Sequence, residues 1–175
     1  CVCMAANIPG PAAAALRAAQ GMAVIKIEPP AGDMTATIMP GWYAELNAAA
    51  RVETVDLRAE AGQARFRALL EGADVLISSH RPAALARLGI TVEALAAVNS
   101  GLCWVEIVGD TGAPEVPGHD LTYQAAVGLV DPRAMPRTLV ADLGDRADDD
   151  AAERIGLQVA DALLCRCQLG VFGGA

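Results

Sequence analysis

Short aliphatic runs alternate along the chain with segments that have the spacing of amphipathic helices. A run of about four to eight apolar or β-branched residues, bounded by turn-forming residues, is typical of a buried strand. On this basis we predict five strands, at residues 1–5, 23–27, 52–57, 74–78 and 102–108.

Helical patterns fill most of the intervals between these strands. Pro11 suits the first turn of a helix, and Gly21 suits the left-handed conformation that ends one. In the segment 59–72, apolar residues fall at i, i+3 and i+4 and form one stripe along a helix. We predict further helices at 42–50, 82–88 and 92–98, and a loop at 31–40.

This alternation predicts an α/β fold in which a mostly parallel sheet is covered by helices on both faces. The length of 175 residues suits a single domain over 1–175. In such folds ligands bind beyond the carboxyl ends of the strands. Polar residues that follow the predicted strands are therefore the first candidates for a functional site.

Composition and charge exclude several classes of function. Hydrophobic residues make up 54% of the chain but aromatic residues only 3%, so we expect a core of small aliphatic side chains. The net charge of −8 disfavours nucleic acid as a partner, because it repels a polyanion. No apolar stretch reaches the ~18 residues of a membrane-spanning helix, so we expect no membrane association.

The cysteines favour a reducing, cytoplasmic location. Their number, 5, is odd, and the N-terminus has no secretory pattern. Two Cys-x-Cys pairs, Cys1 with Cys3 and Cys165 with Cys167, are more closely spaced than zinc-binding pairs usually are. We interpret them as small packed side chains and expect no metal site.

Four residues are candidates for chemistry on their position and type alone. His119 follows a predicted strand and a Gly/Pro-rich loop, and an imidazole both takes and gives a proton near neutral pH. Asp142 ends an aliphatic run and is either a base or nucleophile or a helix N-cap. Arg81 and Arg87 follow a strand and either bind phosphate groups or are solvated.

Several segments, in order, resemble the family III CoA-transferases, a family that includes carnitine dehydratase-like (CaiB/BaiF) proteins and α-methylacyl-CoA racemase. The resemblance covers residues 4–145 and is most specific at Ala-Asp-Val-Leu (73–76) followed by Arg-Pro-x-x-Leu-x-Arg-Leu-Gly (81–89). The other matching segments are Asn-Ile-Pro-Gly-Pro (7–11), Val-Ile-Lys-Ile-Glu-Pro-Pro (24–30) with Gly-Asp (32–33), Val-Asp-Leu-Arg (55–58), Gly-His-Asp-x-x-Tyr (118–123) and Ala-Asp (141–142).

The resemblance implies a Rossmann-like domain that holds coenzyme A, as part of the substrate, at the strand ends. By motif position, Asn7 would contact CoA, and Val55, Leu57 and Arg58 would lie near its adenine and ribose phosphate. The residues expected near the phosphates and pantetheine are His80, Arg81 and Arg87.

The same resemblance implies the catalytic residues. Asp142 falls where the transferases carry the aspartate that attacks the thioester, and His119 falls where the racemases carry a histidine. Asp120 and Tyr123 are expected near the substrate. Gly-His-Asp at 118–120 favours racemase-like proton transfer at the α-carbon; CoA transfer through an aspartyl anhydride is the alternative.

The chain also departs from the family's pattern. Pro29 stands where members often have an arginine that contacts CoA, and Ala49-Ala50 replaces Gly-Lys. The family's second, smaller domain is absent from these residues. We therefore expect a fragment or a short form that either forms a homodimer or pairs with a chain supplying that domain. An inactive, non-catalytic subunit remains the alternative from a different class.

Overall fold

The computed structural model describes residues 1–126, 128–131, 133 and 166–168, and in these a six-stranded sheet is the central element. Its order is β3-β2-β1-β4-β5-β6. The first five strands are parallel to their neighbours, and β6 pairs antiparallel with β5. The strands are β1 (Val2–Cys3), β2 (Val24–Glu28), β3 (Ala50–Thr54), β4 (Val75–Ser78), β5 (Cys103–Glu106) and β6 (Arg166–Gln168).

Helices follow the strands as expected for an α/β fold. They are α1 (Pro9–Ala19), α2 (Met34–Ile38), α3 (Pro40–Asn47), α4 (Glu60–Glu71), α5 (Pro82–Arg87), α6 (Val92–Val98) and α7 (Asp120–Ala126). Gly21, with a φ of 93°, closes α1 in the left-handed region, as its position predicted. The α/β fold class and the parallel sheet are confirmed.

Among the differences from the predicted elements, two have a clear physical reason. The predicted loop 31–40 contains α2, because the side chain of Asp33 accepts a hydrogen bond from the Thr35 amide and starts a helix there. The predicted helix 42–50 ends at Asn47, and Ala50 already belongs to β3, where it pairs with Val24. Here sheet pairing overrides the helix propensity of the alanines.

Both faces of the sheet are covered, because successive strand residues point to opposite sides. On one face Val2 and Leu76 pack in a core cluster that includes residues of α4, α5 and α6. On the other face Cys3 and Ile77 pack against Ala14 of α1. Burial raises the pKa of the Cys3 thiol to about 11, so this cysteine behaves as a small packed side chain.

Two glycines permit close approaches that bring helices onto the sheet. A Cβ at Gly10 of α1 would overlap the Cβ of Ala5, which follows β1. A Cβ at Gly62 of α4 would overlap the backbone carbonyl of Asp56, in the turn after β3. The positions of α1 and α4 therefore depend on these glycines.

The described residues fall into two compact units. The first contains the residues up to Ile107 together with β6, and the second begins at Val108. Among the described residues, no helix combines the length and the apolar character required to cross a bilayer.

We expect Gly62→Ala to destabilise the fold although alanine is the better helix former. The overlap with the Asp56 carbonyl should cost about 1–3 kcal/mol in free energy of unfolding, measured by urea denaturation. Gly72→Ala is the matched control, because a Cβ at this helix end meets nothing within 4 Å. Equal stability of the two variants would show that α4 does not need its close contact.

Candidate functional site

A cavity of about 500 Å³ opens at the carboxyl ends of β1 to β4, where the parallel fold predicts a ligand site. Each strand contributes the residues that follow it. The lining consists of residues 4–7, 26–34 and 55–58, together with His80 and Leu88. All of these belong to the first compact unit.

The structure brings five of the residues predicted to bind CoA to this one cavity. The five are Asn7, Val55, Leu57, Arg58 and His80. They come from segments separated by more than 70 positions in sequence, and the strand order β3-β2-β1-β4 places those segments side by side. Their convergence follows from the fold, while their contact with CoA stays a prediction.

Arg81 and Arg87 do not line the cavity. Arg81 is the residue before α5 and Arg87 is its last residue, and both are exposed. Neither belongs to the ion pairs recorded among the described residues. Both side chains are thus accessible at positions next in sequence to His80 and Leu88, and their role toward phosphates remains a prediction.

The predicted catalytic residues lie in the second unit or outside the described residues. His119 is exposed, and its backbone organises the start of α7: its N–H donates to Thr122 Oγ1 at 2.8 Å, and the same hydroxyl donates to its carbonyl at 2.6 Å. Asp120 is the first residue of α7 and Tyr123 is half-buried. Asp142 lies outside the described residues, so its predicted partnership with His119 stays a prediction.

Hydrogen bonds from side chains hold the cavity walls together. The Gln63 amide of α4 donates to the Leu57 carbonyl at 2.7 Å and to the Leu88 carbonyl at 2.8 Å, so it links the turn after β3 to the end of α5. The Ser79 hydroxyl accepts from the Ala6 amide at 3.1 Å and joins the ends of β1 and β4. These contacts fix backbone positions around the cavity before any ligand binds.

One wall of the cavity contains a buried network of charged side chains that the sequence analysis did not predict. Lys26 of β2 is only 2% exposed, and its Nζ lies 3.0 Å from Glu28 Oε1 and 2.5 Å from Asp33 Oδ2. The Tyr43 hydroxyl donates to Glu28 Oε1 at 2.8 Å, and Lys26 Nζ lies 4.7 Å from the centre of the Tyr43 ring. The available signal was a lysine inside the aliphatic strand Val-Ile-Lys-Ile-Glu, since a buried ammonium requires acidic partners.

The pKa values within this network are consistent with a stable ion pair at neutral pH. Burial raises the pKa of the Asp33 carboxyl, but hydrogen bonds from Lys26 and the Thr35 amide outweigh burial and hold that pKa below its usual range. Burial and the hydrogen bond to Glu28 raise the pKa of Tyr43 to about 12. Asp33 therefore remains an ionised partner of Lys26 at neutral pH.

The remaining charges of the lining are also paired. Arg58 Nε lies 3.0 Å from Asp56 Oδ1, and this contact lowers the pKa of Asp56 and raises that of Arg58. His80 differs, because its Nδ1 is buried with no hydrogen-bond partner among the described residues. Burial lowers the pKa of His80, so the imidazole is neutral at pH 7, the form in which burying a ring nitrogen costs least.

Within the described residues, no group of three or more His, Cys, Asp or Glu side chains is arranged to hold a metal ion. The chemistry available at the cavity is that of a preformed apolar pocket with a few polar groups at fixed positions. This combination is typical of binding sites for small organic ligands.

Residues 1–161 match CoA-transferase family III. The chain belongs to this family. Among curated relatives, it is 38% identical over 135 residues to succinyl-CoA:(R)-benzylsuccinate CoA-transferase subunit BbsE of Thauera aromatica, an alignment that covers 69% of this chain and 33% of that protein. It is 31% identical over 157 residues to cinnamoyl-CoA:phenyllactate CoA-transferase of Clostridium sporogenes, covering 79% of this chain and 38% of that protein.

The fold of this family III chain also matches solved structures. The crystal structure of a hypothetical protein (Rv3272) from Mycobacterium tuberculosis superposes with a TM-score of 0.72 at 25% sequence identity. That match covers 93% of this chain and 48% of the solved chain. The chain therefore spans between about a third and a half of the length of these relatives, and the predicted resemblance to the family is confirmed for the N-terminal part.

We expect Gln63→Glu to destabilise the cavity walls, because a carboxylate cannot donate to the Leu57 and Leu88 carbonyls. The free energy of unfolding should fall by about 1–3 kcal/mol, measured by urea denaturation. Ala64→Glu is the control, since it adds the same charge at an exposed position of α4. An equal loss in both variants would attribute the effect to charge rather than to the lost hydrogen bonds.

Proposed function

We propose that this chain supplies the CoA-binding part of a family III CoA-transferase and that its cavity holds the adenosine end of the CoA thioester. The observation that carries the proposal is the convergence of Asn7, Val55, Leu57, Arg58 and His80 on one cavity at the strand ends. The cavity volume of about 500 Å³ lies within the range of small-molecule sites.

The lining is better suited to bind the adenine base of CoA than its phosphates. Apolar side chains such as Ile27, Val55 and Leu57 suit the faces of a purine ring. The half-buried, neutral imidazole of His80 adds one polar side chain to this lining. Both cations of the lining, Lys26 and Arg58, are already paired with carboxylates.

The phosphates are then expected outside the cavity. Arg81 and Arg87 are exposed and adjoin the lining residues His80 and Leu88 in the sequence, and guanidinium groups bind phosphates through paired hydrogen bonds. Pro29, where the family's pattern often has an arginine, supplies no charge to the cavity lining. In this arrangement Arg81 and Arg87 supply most of the attraction for the phosphates.

For the reaction, we propose CoA transfer with Asp142 as nucleophile. The carboxylate attacks the thioester carbonyl, the C–S bond breaks, and CoA leaves as the thiolate while an acyl anhydride forms. The CoA thiolate next attacks the Asp142 carbonyl of this anhydride, which releases the donor acid and leaves an aspartyl-CoA thioester. The acceptor carboxylate attacks that thioester, releases the thiolate and forms a second anhydride. The thiolate then attacks the acceptor acyl carbon of the second anhydride, which gives the new CoA thioester and regenerates the Asp142 carboxylate. We place CoA transfer before racemisation because these relatives are named as CoA-transferases.

A second candidate is racemisation at the α-carbon, favoured by His119 in the motif Gly-His-Asp. A thioester acidifies its α-proton, so an imidazole on one side and a carboxylate on the other can remove and return it. His119 is exposed at the start of α7 and is accessible for such a role. The enolate would also need hydrogen-bond donors nearby.

The relatives also suggest how the chain operates. The Thauera protein is named as a subunit of its CoA-transferase. We propose that this chain likewise works with further polypeptide, either a second copy or a chain that supplies the rest of the family fold. The alternative is an inert subunit that binds no CoA, and the following experiment distinguishes the two.

We expect Ala31→Trp to weaken CoA binding, because residue 31 lines the cavity and an indole would fill its mouth. By isothermal titration calorimetry the Kd for CoA should rise by about tenfold or more, a loss of about 1.4 kcal/mol. Ala36→Trp is the matched control, since Ala36 is exposed and lies outside the lining. If wild-type protein gives no heat at millimolar CoA, or if both variants bind equally, the cavity is not the CoA site.

The two reactions are separated by variants of their predicted catalytic residues, tested in the full assembly. Under CoA transfer, Asp142→Asn should abolish exchange of labelled CoA between two acids, while His119→Gln should retain it. Under racemisation, His119→Gln should abolish loss of chirality at the α-carbon, because the proton-transfer group is gone. Loss of chirality by the wild type without any acid exchange would reject the transferase proposal.

A further inference from the structure

The loop that forms the outer wall of the cavity has few contacts of its own. Residues 29–32 connect β2 to the start of α2, and all four are exposed while lining the cavity. Within them one backbone hydrogen bond is recorded, from the Gly32 amide to the Pro29 carbonyl at 2.8 Å, and Gly32 has a φ of 76°. The conformation of this loop must therefore depend mainly on contacts made by the residues that flank it.

One ammonium group contacts both ends of that loop. Lys26 Nζ lies 3.0 Å from Glu28, the last residue before the loop, and 2.5 Å from Asp33, the first residue after it. Side-chain exposures of 2%, 10% and 3% for Lys26, Glu28 and Asp33 keep water away from these contacts. The lysine therefore closes the loop, as a cross-link between its ends would.

Asp33 makes a second contact that passes this constraint to the next element. Its Oδ1 accepts a hydrogen bond from the Thr35 amide at 2.8 Å and caps α2, while Oδ2 contacts Lys26. A carboxylate fixed by two partners on different oxygens has a defined orientation. The end of the loop and the beginning of α2 are thereby held against β2.

Lys26 itself is poorly placed to bind a ligand's phosphate. Its single positive charge faces two carboxylates, so the cluster of Lys26, Glu28 and Asp33 carries a net negative charge. An anion brought to this cluster would be repelled rather than attracted. The lysine lines the cavity for a structural purpose.

We propose that Lys26 and Asp33 are positioning residues that keep the loop 29–32 in its ligand-ready shape, so that the cavity is preformed for the nucleotide end of CoA. This inference rests on the proposed function for its ligand, but the order of the loop can be measured without any ligand. The hydrogen bond from Tyr43 of α3 to Glu28, the last residue of β2, completes the network at the end where the loop begins.

The sharpest test is Asp33→Asn. Asparagine remains a good N-cap, so it preserves the hydrogen bond from Thr35, and Lys26 keeps Glu28 as a charged partner. The substitution thus removes mainly the ion pair that closes the loop. Lys26→Met is less suitable, because it would leave two buried carboxylates without their cation and could prevent folding.

Tyr43→Phe is the matched control. It removes the hydrogen bond to Glu28 from the same network but leaves the Lys26–Asp33 contact in place. Both variants are compared with wild-type protein at a temperature where all three are fully folded. Because all three proteins are then fully folded, differences in global stability do not affect the measured exchange rates or the Kd for CoA.

Two measurements are made on each protein. The first is amide hydrogen exchange of Gly32 without ligand, which should become at least about tenfold faster in Asp33→Asn only, because the Gly32 amide donates the loop's recorded hydrogen bond to the Pro29 carbonyl. The second is the Kd for CoA by calorimetry, which should rise about tenfold if the loop is ordered in about a tenth of the molecules.

Unchanged exchange in Asp33→Asn, or equal effects in both variants, would overturn the positioning role. If the wild type binds no CoA, the proposed function fails, but faster exchange confined to Asp33→Asn would still uphold the control of the loop by Lys26 and Asp33. If exchange changes and the CoA affinity does not, the loop is held as proposed but does not shape the ligand site, and the inference is rejected.

Discussion

The ion pairs of Lys26 are the constraint on which the candidate site depends. Placing an ammonium group inside a strand costs several kcal/mol, and removing one partner of such a buried pair typically costs about 3–5 kcal/mol. The cost is offset only because Glu28, Asp33 and the Tyr43 ring surround the group. The geometry that stabilises the charge therefore also sets the path of the chain from β2 into α2.

The other walls of the cavity are built in the same way, by polar side chains acting on backbone. Gln63 joins the turn after β3 to the end of α5, and Ser79 joins the ends of β1 and β4. Gly62 allows α4 to approach close enough for the Gln63 contacts. The parallel sheet brings the segments together, and these side chains then define the cavity between them.

The alternation of aliphatic runs and helical patterns was sufficient to predict the α/β fold and most of its elements. It could not predict α2, whose start depends on one side-chain hydrogen bond from Thr35 to Asp33. The residues expected to contact CoA came from motif resemblance, and strand order explains why five of them converge. The role of Lys26 was not predictable in the same way, because its partners are set by how the loop folds back onto β2. Strand β6 was also missed, since its segment Arg-Cys-Gln lacks the aliphatic run that indicates a strand.

We propose that the cavity at the ends of β1 to β4 receives the adenosine end of CoA, and a crystal structure of the complex with CoA is the decisive measurement. We expect the adenine ring between Ile27 and Leu57, the ligand in contact with His80, and the phosphates directed toward Arg81 and Arg87. A nucleotide bound at another surface, with the cavity unchanged and empty, would contradict it.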